Sequence, residues 1–212
     1  MQWNAVHLGA PFLLGFLLGS IPFGLLLTRA AGLGDIRSIG SGNIGATNVL
    51  RTGNKKLAAA VLLLDALKGV VAVLLSATLG PLAAVLAALG AVLGHMFTPW
   101  LRFKGGKGVA TTFGVLWGLN WMLGAAACVL WLLFAFLFRY SSLAALISVA
   151  LAAALSWFLL DWRAALVVTL IVPLVFLRHH ENIARLLAGT ESRIGQKAGD
   201  SAVTGHNGGP SL

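Results

Sequence analysis

The chain has 212 residues, of which 58% are hydrophobic and only 10% are charged. A water-soluble domain carries about 25% charged residues, so a soluble globular protein is excluded and a membrane protein is indicated. The net charge of +9 would fit nucleic-acid binding in a soluble protein, but beside long apolar runs it indicates basic loops at the cytoplasmic face of a membrane.

Apolar segments of membrane-crossing length follow one another along the chain. A transmembrane helix needs about 20 predominantly apolar residues. Five segments predict such helices: residues 8–27, 57–79, 81–97, 142–160 and 164–177. We expect the first to be a retained span and not a cleaved signal peptide, because Arg29 follows it without a cleavage site.

The stretch of residues 109–138 is too long for one ordinary span and too short for two full ones. Gly118 and Asn120 interrupt it. This pattern predicts a short helix over residues 108–117, followed by a full span over residues 121–138.

Counting the short helix gives seven crossings, and this count places the basic residues consistently. All 15 lysines and arginines except Lys68 and Arg163 then lie on the side of the carboxyl-terminal tail. The positive-inside rule therefore favours seven crossings over six, with the amino terminus outside and the carboxyl terminus in the cytoplasm.

The sequence thus predicts an all-α, polytopic integral membrane protein with seven transmembrane helices, one of them short. Residues 1–198 form its single domain. The small, polar residues of the segment 199–212 predict a disordered tail.

The first cytoplasmic loop is rich in glycine and small polar residues. It contains the run Gly40-Ser41-Gly42-Asn43-Ile44-Gly45-Ala46-Thr47-Asn48 and then Arg51. Glycines let backbone N–H groups approach an anion, and arginine is a planar cation suited to phosphate. The alternative is a flexible loop of turn residues, but a polar loop between hydrophobic spans needs partners or a water-filled cavity.

The second cytoplasmic loop combines glycines with two lysines directly before the predicted short helix. Its sequence is Lys104-Gly105-Gly106-Lys107-Gly108. Amides at the start of a helix bind anions, and neighbouring lysines strengthen such a site. The loop is not a nucleotide P-loop, because Gly108 and not Ser or Thr follows Lys107. The alternative, a basic membrane anchor, explains the lysines but not the glycines.

The third cluster follows the last span and begins a predicted amphipathic helix over residues 178–187. It reads Arg178-His179-His180-Glu181-Asn182-Ile183. His179 and Asn182 share one helix face and could bind the hydroxyls of a polyol. Two adjacent histidines cannot hold one metal ion from a single face, so no metal site is expected. The alternative is an interfacial cationic helix.

A few further polar residues lie within the predicted spans. Ser142, at the inner end of one span, is alone more typical of a helix cap. Asp65 and Lys68 are costly in hydrocarbon unless they pair, so we interpret them as a structural pair that supports the site. His95 is interpreted as a satisfied core or interfacial group.

These motifs together resemble those of one family, the bacterial acyl-phosphate:glycerol-3-phosphate acyltransferases (PlsY family). The similarity covers residues 14–195. The segments that carry it are residues 19–24, 41–48, 94–95, 103–111 and 178–183.

The resemblance implies a reaction in phospholipid biosynthesis. A fatty acyl group passes from acyl phosphate to the 1-hydroxyl of sn-glycerol-3-phosphate, giving lysophosphatidate and phosphate. It implies no cofactor, no metal and no nucleic acid. The expected partners are the two substrates, membrane lipid and the enzyme that produces acyl phosphate. The expected location is the bacterial inner membrane, with the active site facing the cytoplasm.

The resemblance also implies roles for individual residues. The implied catalytic residues are Ser41, Asn43, Arg51, Lys104, Lys107, Ser142 and His179. Ser141 and His180 are adjacent alternatives to Ser142 and His179. The implied substrate-binding residues are Gly42, Gly45, Thr47, Asn48, Gly105, Gly106, Gly108 and Asn182.

The chemistry of acyl phosphate bears on what such a site must do. Phosphate is a good leaving group, so the protein has mainly to orient two anions and offset their repulsion. The hydroxyl proton then passes to a substrate phosphate oxygen or, alternatively, to His179 as a general base.

Two other classes of protein could carry the same basic loops. A transporter of an anionic metabolite would need polar groups near the middle of the membrane, and Asp65 with Lys68 is the pair that would serve. A structural or interaction protein would not depend on the glycines of the loops.

Overall fold

The computed structural model describes residues 5–195. Within that range the chain forms ten α-helices and two short 3-10 helices, with no β-strand. The predicted all-α class is therefore confirmed. The tail predicted for residues 199–212, and the end of the predicted domain at residue 198, lie outside the described residues.

The helices follow one another in this order: α1 Ala5–Gly19, α2 Phe23–Ala30, α3 Ala46–Leu50, α4 Lys55–Ala77, α5 Pro81–Met96, α6 Val109–Leu119, α7 Trp121–Phe138, α8 Ser141–Leu159, α9 Trp162–Arg178 and α10 His180–Leu187. The predicted division into a short helix and a full span is present as α6 and α7. Asn120 separates the two helices and caps α7, since its side chain accepts N–H groups of the first turn.

Five segments of the described range are long and apolar enough to cross a membrane. They are Gly9–Ala30, Lys55–Ala77, Pro81–Leu101, Trp121–Phe138 and Ser141–Leu159. The pair α9 and α10 passes the same test only together, with a bend of 63° between them. A count of seven crossings requires both α9 and the 11-residue α6.

The outer surface of the helices is apolar. Phe136 and Phe158 are 83% and 85% exposed, and many leucines on the same surfaces are also exposed. Exposed apolar side chains on this scale mark a surface in contact with lipid. The protein is thus a multi-pass membrane protein.

The first span, predicted over residues 8–27, is present as the apolar segment Gly9–Ala30 and contains a break. A three-residue break separates α1 from α2. Buried side chains satisfy the carbonyls that this break exposes: the Thr98 hydroxyl donates to the Ser20 carbonyl at 2.6 Å, and the Lys68 ammonium donates to the Ile21 carbonyl at 2.9 Å. The break could not be predicted from the neighbouring sequence, because these partners lie far along the chain.

Small residues allow α1 to pack closely against α5. A side chain at Gly15 or Gly19 would collide with the backbone of Ala87 or Ala91. Glycines four residues apart allow helix backbones to approach in this way. The contact brings the break in the first span beside the end of α5, where His95 and the second glycine-rich loop lie.

Candidate active site

Asn48 organises the first glycine-rich loop. Its buried side-chain amide donates to the carbonyls of Ile36, Ile39 and Asn43 at 2.9–3.0 Å, and its oxygen accepts the N–H of Ser41 at 3.0 Å. These bonds engage both ends of the amide. The sequence predicts a substrate contact for Asn48, but its hydrogen bonds give it a role in shaping the loop.

The other polar residues of this loop have different hydrogen-bond partners. Asn43 accepts the N–H of Gly45 at 2.9 Å with its side chain and so leads the chain into α3. Thr47 is exposed, and its hydroxyl lies 3.2 Å from that of Ser141 at the start of α8. Gly42 adopts a φ of +68°, a conformation that favours glycine.

Arg51 extends from the first loop toward the carboxyl-terminal segment. Its guanidinium is half-buried and donates to the Ser192 hydroxyl at 2.9 Å. Burial lowers the pKa of Arg51, and the nearby Glu191 carboxylate opposes that effect. The side chain stays charged at neutral pH and is placed to attract an anion.

The second glycine-rich loop closes back on the end of α5. The N–H of Gly105 donates to the Met96 carbonyl and that of Gly106 to the His95 carbonyl, both at 3.1 Å. The sequence predicts that Gly105 and Gly106 form part of a phosphate-binding loop. Their own N–H groups are bonded to the protein, so their part in that prediction is to shape the loop.

The start of α6 presents further backbone amides next to this loop. Gly108 has a φ of +85°, which favours glycine, and it turns the chain into α6 at Val109. The first N–H groups of a helix have no partner within it and carry partial positive charge. These N–H groups come just after Lys107 in the chain, so the Lys107 ammonium lies close in sequence to amides that have no partner within the helix.

Arg178, at the end of α9, clamps the second loop. Its guanidinium donates to the Gly105 carbonyl at 2.6 Å and to the Gly106 carbonyl at 3.2 Å. It also lies over the Phe97 ring, with 5.7 Å from the guanidinium carbon to the ring centroid. No local pattern in the sequence points to this role, because the partners are more than 70 positions away.

The two lysines of the second loop have different surroundings. Lys104 is exposed, whereas Lys107 is partly buried and donates a hydrogen bond to the Asn182 side-chain oxygen. Burial lowers the pKa of Lys107 to about 8, so its ammonium is mostly protonated at neutral pH. Lys107 is therefore the lysine that joins the second loop to α10.

Glu191 connects the remaining parts of the site, although the sequence analysis did not single it out. One carboxylate oxygen accepts from the Ser142 hydroxyl at 2.7 Å and from the Asn182 side-chain nitrogen at 2.6 Å. The other accepts from Arg185 at 2.7 Å. Burial raises the pKa of Glu191, but these hydrogen bonds outweigh it and lower the pKa overall.

His179 is buried beside this network, whereas His180 is exposed. The His179 Nδ1 atom lies 2.7 Å from the Val175 carbonyl, which can only accept, so Nδ1 carries the proton and Nε2 is left as the basic nitrogen. Burial lowers the pKa of His179 to about 4, so the ring is neutral at pH 7. Of the two neighbouring histidines, His179 is the one inside the site.

The two neighbouring serines, Ser141 and Ser142, also differ in their surroundings. Ser142 is 7% exposed and bonds Glu191, while Ser141 contacts the exposed Thr47. Ser142 therefore belongs to the interior of the site, and Ser141 lies at its rim.

Residues 190–195, which we call the C-terminal strap, hold the site together. Ser192 bonds Arg51, the Ile194 N–H donates to the Arg139 carbonyl at 2.7 Å, and Arg193 lies over the Tyr140 ring. Through the strap, the first loop, the second loop, the start of α8 and α10 meet at one face of the helix bundle.

The result is a site with a marked excess of positive charge. Its cations are Arg51, Lys107, Arg178 and Arg185, and its acids are Glu181 and Glu191. Such an arrangement can hold anionic groups that would otherwise repel one another.

Comparison with known proteins agrees with this chemistry. Residues 10–189 match the family model described as glycerol-3-phosphate acyltransferase. The chain is 62% identical over 183 residues to the glycerol-3-phosphate acyltransferase of Mesorhizobium japonicum, covering 86% of this chain and 94% of that protein. It is 59% identical over 186 residues to that of Agrobacterium fabrum, covering 87% and 91%.

Two solved structures share the fold. Both are crystal structures of PlsY (YgiH), an integral membrane glycerol 3-phosphate acyltransferase. The glycerol 3-phosphate form has a TM-score of 0.84 and 36% identity, and covers 89% of this chain and 96% of that one. The lysophosphatidic acid form has a TM-score of 0.82 and 35% identity, covering 89% and 95%.

Proposed function

The chain belongs to the glycerol-3-phosphate acyltransferase family, and from this premise we propose that it uses acyl phosphate as donor and the 1-hydroxyl of sn-glycerol-3-phosphate as acceptor. It is a membrane-bound acyltransferase. The products of the proposed reaction are lysophosphatidate and inorganic phosphate.

The observation that carries the proposal is the chain of contacts around Lys107. Lys107 bonds Asn182, which bonds Glu191, which in turn bonds Ser142. With Arg51 reaching the same strap, cations from two loops face one site. Two phosphate-bearing substrates need such an excess of positive charge in order to approach each other.

In the proposed reaction, the glycerol 1-hydroxyl oxygen attacks the acyl carbonyl carbon and the bond from that carbon to the phosphate oxygen breaks. Lys107 and the first amides of α6 stabilise the negative charge that develops on the departing phosphate. His179 and Asn182 hold the glycerol hydroxyls. Both substrates carry a phosphate, and the phosphate of either one can contact Lys107.

The hydroxyl proton goes to a substrate phosphate oxygen. A phosphate monoester has a second pKa of about 6, whereas burial lowers the pKa of His179 to about 4. The phosphate is therefore the stronger base, and His179 serves to orient the acceptor.

The other predicted site residues receive supporting roles. Ser41, Asn43, Gly42 and Gly45 present the first loop to substrate, in the shape that Asn48 maintains. Ser142 orients Glu191, and Thr47 lies at the rim. Lys104, which is exposed, attracts anionic substrates from the aqueous side.

We assign the protein to the cytoplasmic membrane of a bacterium, with seven crossings, the amino terminus outside and the site facing the cytoplasm. The support is the concentration of basic residues in the segments that meet at the site. The acyl chain then lies among the spans, and the enzyme that makes acyl phosphate supplies the donor.

The test is an assay of purified protein with palmitoyl phosphate and radiolabelled glycerol-3-phosphate in buffer containing a chelator of divalent metals. Labelled lysophosphatidate is expected with acyl phosphate and not with palmitoyl-CoA. Product from palmitoyl-CoA alone would overturn the donor assignment. Proteoliposomes test the transporter alternative: uptake of labelled glycerol-3-phosphate without acyl transfer would favour transport.

A further inference from the structure

Three titratable side chains form a buried cluster between α4 and α5, behind the second loop. The Lys68 ammonium lies 2.8 Å from an Asp65 carboxylate oxygen and 2.8 Å from His95 Nδ1. All three side chains are at most 4% exposed. Charged groups are costly at such depth unless each has partners, so the arrangement needs a reason beyond packing.

The hydrogen bonds of Lys68 determine the state of the His95 ring. An ammonium group has only N–H donors; this one pairs with the Asp65 carboxylate as an ion pair, lies against His95 Nδ1, and donates to the Ile21 carbonyl at 2.9 Å. His95 Nδ1 must therefore accept, and the ring proton is on Nε2. One ammonium thus fixes both the imidazole and the break between α1 and α2.

His95 touches the second loop through its backbone and through its ring. Its carbonyl accepts the Gly106 N–H at 3.1 Å. Its Nε2 atom occupies the space that a side chain at Gly106 would need. Gly106 therefore packs against the imidazole ring, which we call the imidazole wall, and Arg178 donates to the Gly106 carbonyl at 3.2 Å.

We propose that the Asp65–Lys68–His95 cluster is a positioning site for acyl transfer, because it orients the imidazole wall that places Gly106 and hence Lys107. The inference rests on the proposed function, in which Lys107 holds phosphate. None of the three side chains touches the reacting atoms. An apolar trio could fill the same volume, but it could not direct the ring and bind the Ile21 carbonyl together.

The experiment is a double-variant cycle between the ring and the loop. Gly106→Ala places a methyl group where the imidazole stands, and a misplacement of about 1 Å in such a site costs on the order of 100-fold in activity. His95→Asn keeps an acceptor for Lys68 and removes most of the ring. We expect it to raise the KM for glycerol-3-phosphate by about tenfold and to lower kcat less, because ground-state binding is the first quantity that a displaced Lys107 affects.

The combined variant distinguishes positioning from general damage. The space left by the ring accommodates the new methyl group, so the double variant should be at least about tenfold more active than the product of the two single effects. Ser76→Ala, which alters another buried polar residue of α4, is the matched control and should leave kcat and KM unchanged. Melting temperatures in detergent are measured for every variant.

If the effects of the two changes are additive, or if His95→Asn has a wild-type KM, the inference is overturned. The proposed function still stands in that case, provided that the wild-type protein transfers acyl groups. If the wild-type protein makes no lysophosphatidate, the proposed function itself fails. Should His95→Asn not fold, Asp65→Asn replaces it, and an unchanged KM for glycerol-3-phosphate in that variant would also overturn the inference.

Discussion

The two polar loops are both rich in glycine, but they are held in place in different ways. In the first loop, Asn48 bonds partners no more than 12 positions away. In the second loop, the carbonyls of Gly105 and Gly106 are held by Arg178, 73 and 72 positions away respectively. The first loop is held by a residue of its own, Asn48. The second loop is held between the end of α5 and Arg178 of α9, which is distant in the chain.

This difference shows what a run of glycines means. It indicates that the backbone is packed closely or sharply turned, but it does not say whether the free N–H groups face a ligand or another part of the protein. In the second loop, the N–H groups of Gly105 and Gly106 face α5 and those at the start of α6 are free of helical partners.

The largest effect is expected from the second loop, at Lys107. Lys107→Ala removes the cation that bonds Asn182 and, in the proposed mechanism, holds phosphate. Loss of one such stabilising group costs about 100- to 1,000-fold in kcat. Steady-state assays of acyl transfer provide the measurement. Lys56→Ala, an exposed lysine at the start of α4, is the matched control, and wild-type turnover by Lys107→Ala would contradict the assignment.

The shape of the first loop should depend on Asn48. Asn48→Ala removes four hydrogen bonds and leaves three buried or half-buried carbonyls without that partner. Each such bond contributes about 1 kcal/mol, and water replaces about half of the four at this half-exposed loop, so the net cost is about 2 kcal/mol. We therefore expect an activity loss of about 30-fold and faster proteolysis within the loop.

Thr47→Ala changes the exposed neighbour of Asn48 and should have a much smaller effect. Equal losses in the two variants would show that the internal bonds of Asn48 do not set the shape of the first loop.

Arg178→Lys tests the distant clamp of the second loop. A lysine cannot reproduce the two-pronged contact with the carbonyls of Gly105 and Gly106. We expect about a tenfold loss of kcat/KM, in line with the loss of one charge-assisted hydrogen bond. Proteolysis of the first loop should be unchanged, and faster cleavage there would mean that the two loops are not held independently.

At neutral pH the smallest effect is expected from the titration of Lys107, because its pKa of about 8 lies above that pH. Lys107 binds an anion in its protonated form, which predominates below its pKa of about 8. As the pH rises through that value, the ammonium loses its proton and kcat/KM should fall, by about tenfold for each further pH unit. Lys107→Arg keeps its charge throughout this range, so its profile should lose this alkaline limb, whatever its absolute activity.

Sequence reasoning succeeded where the signal is local. The apolar runs predicted α4, α5, α8 and α9 to within a few residues, and Asn120 marked the boundary between α6 and α7. These features depend on stretches of about 20 residues whose composition must match the hydrocarbon of the membrane, so neighbouring positions carry the information.

The sequence by itself thus determined a helical membrane protein with three polar, basic segments. The tertiary structure decided which of several equivalent side chains enters the site: Lys107 and not Lys104, His179 and not His180, Ser142 and not Ser141. It also decided that Glu191 and Arg178 hold these segments together. The physical reason is that a buried polar group must find a hydrogen-bond partner in space, and these partners come from residues far apart in the chain.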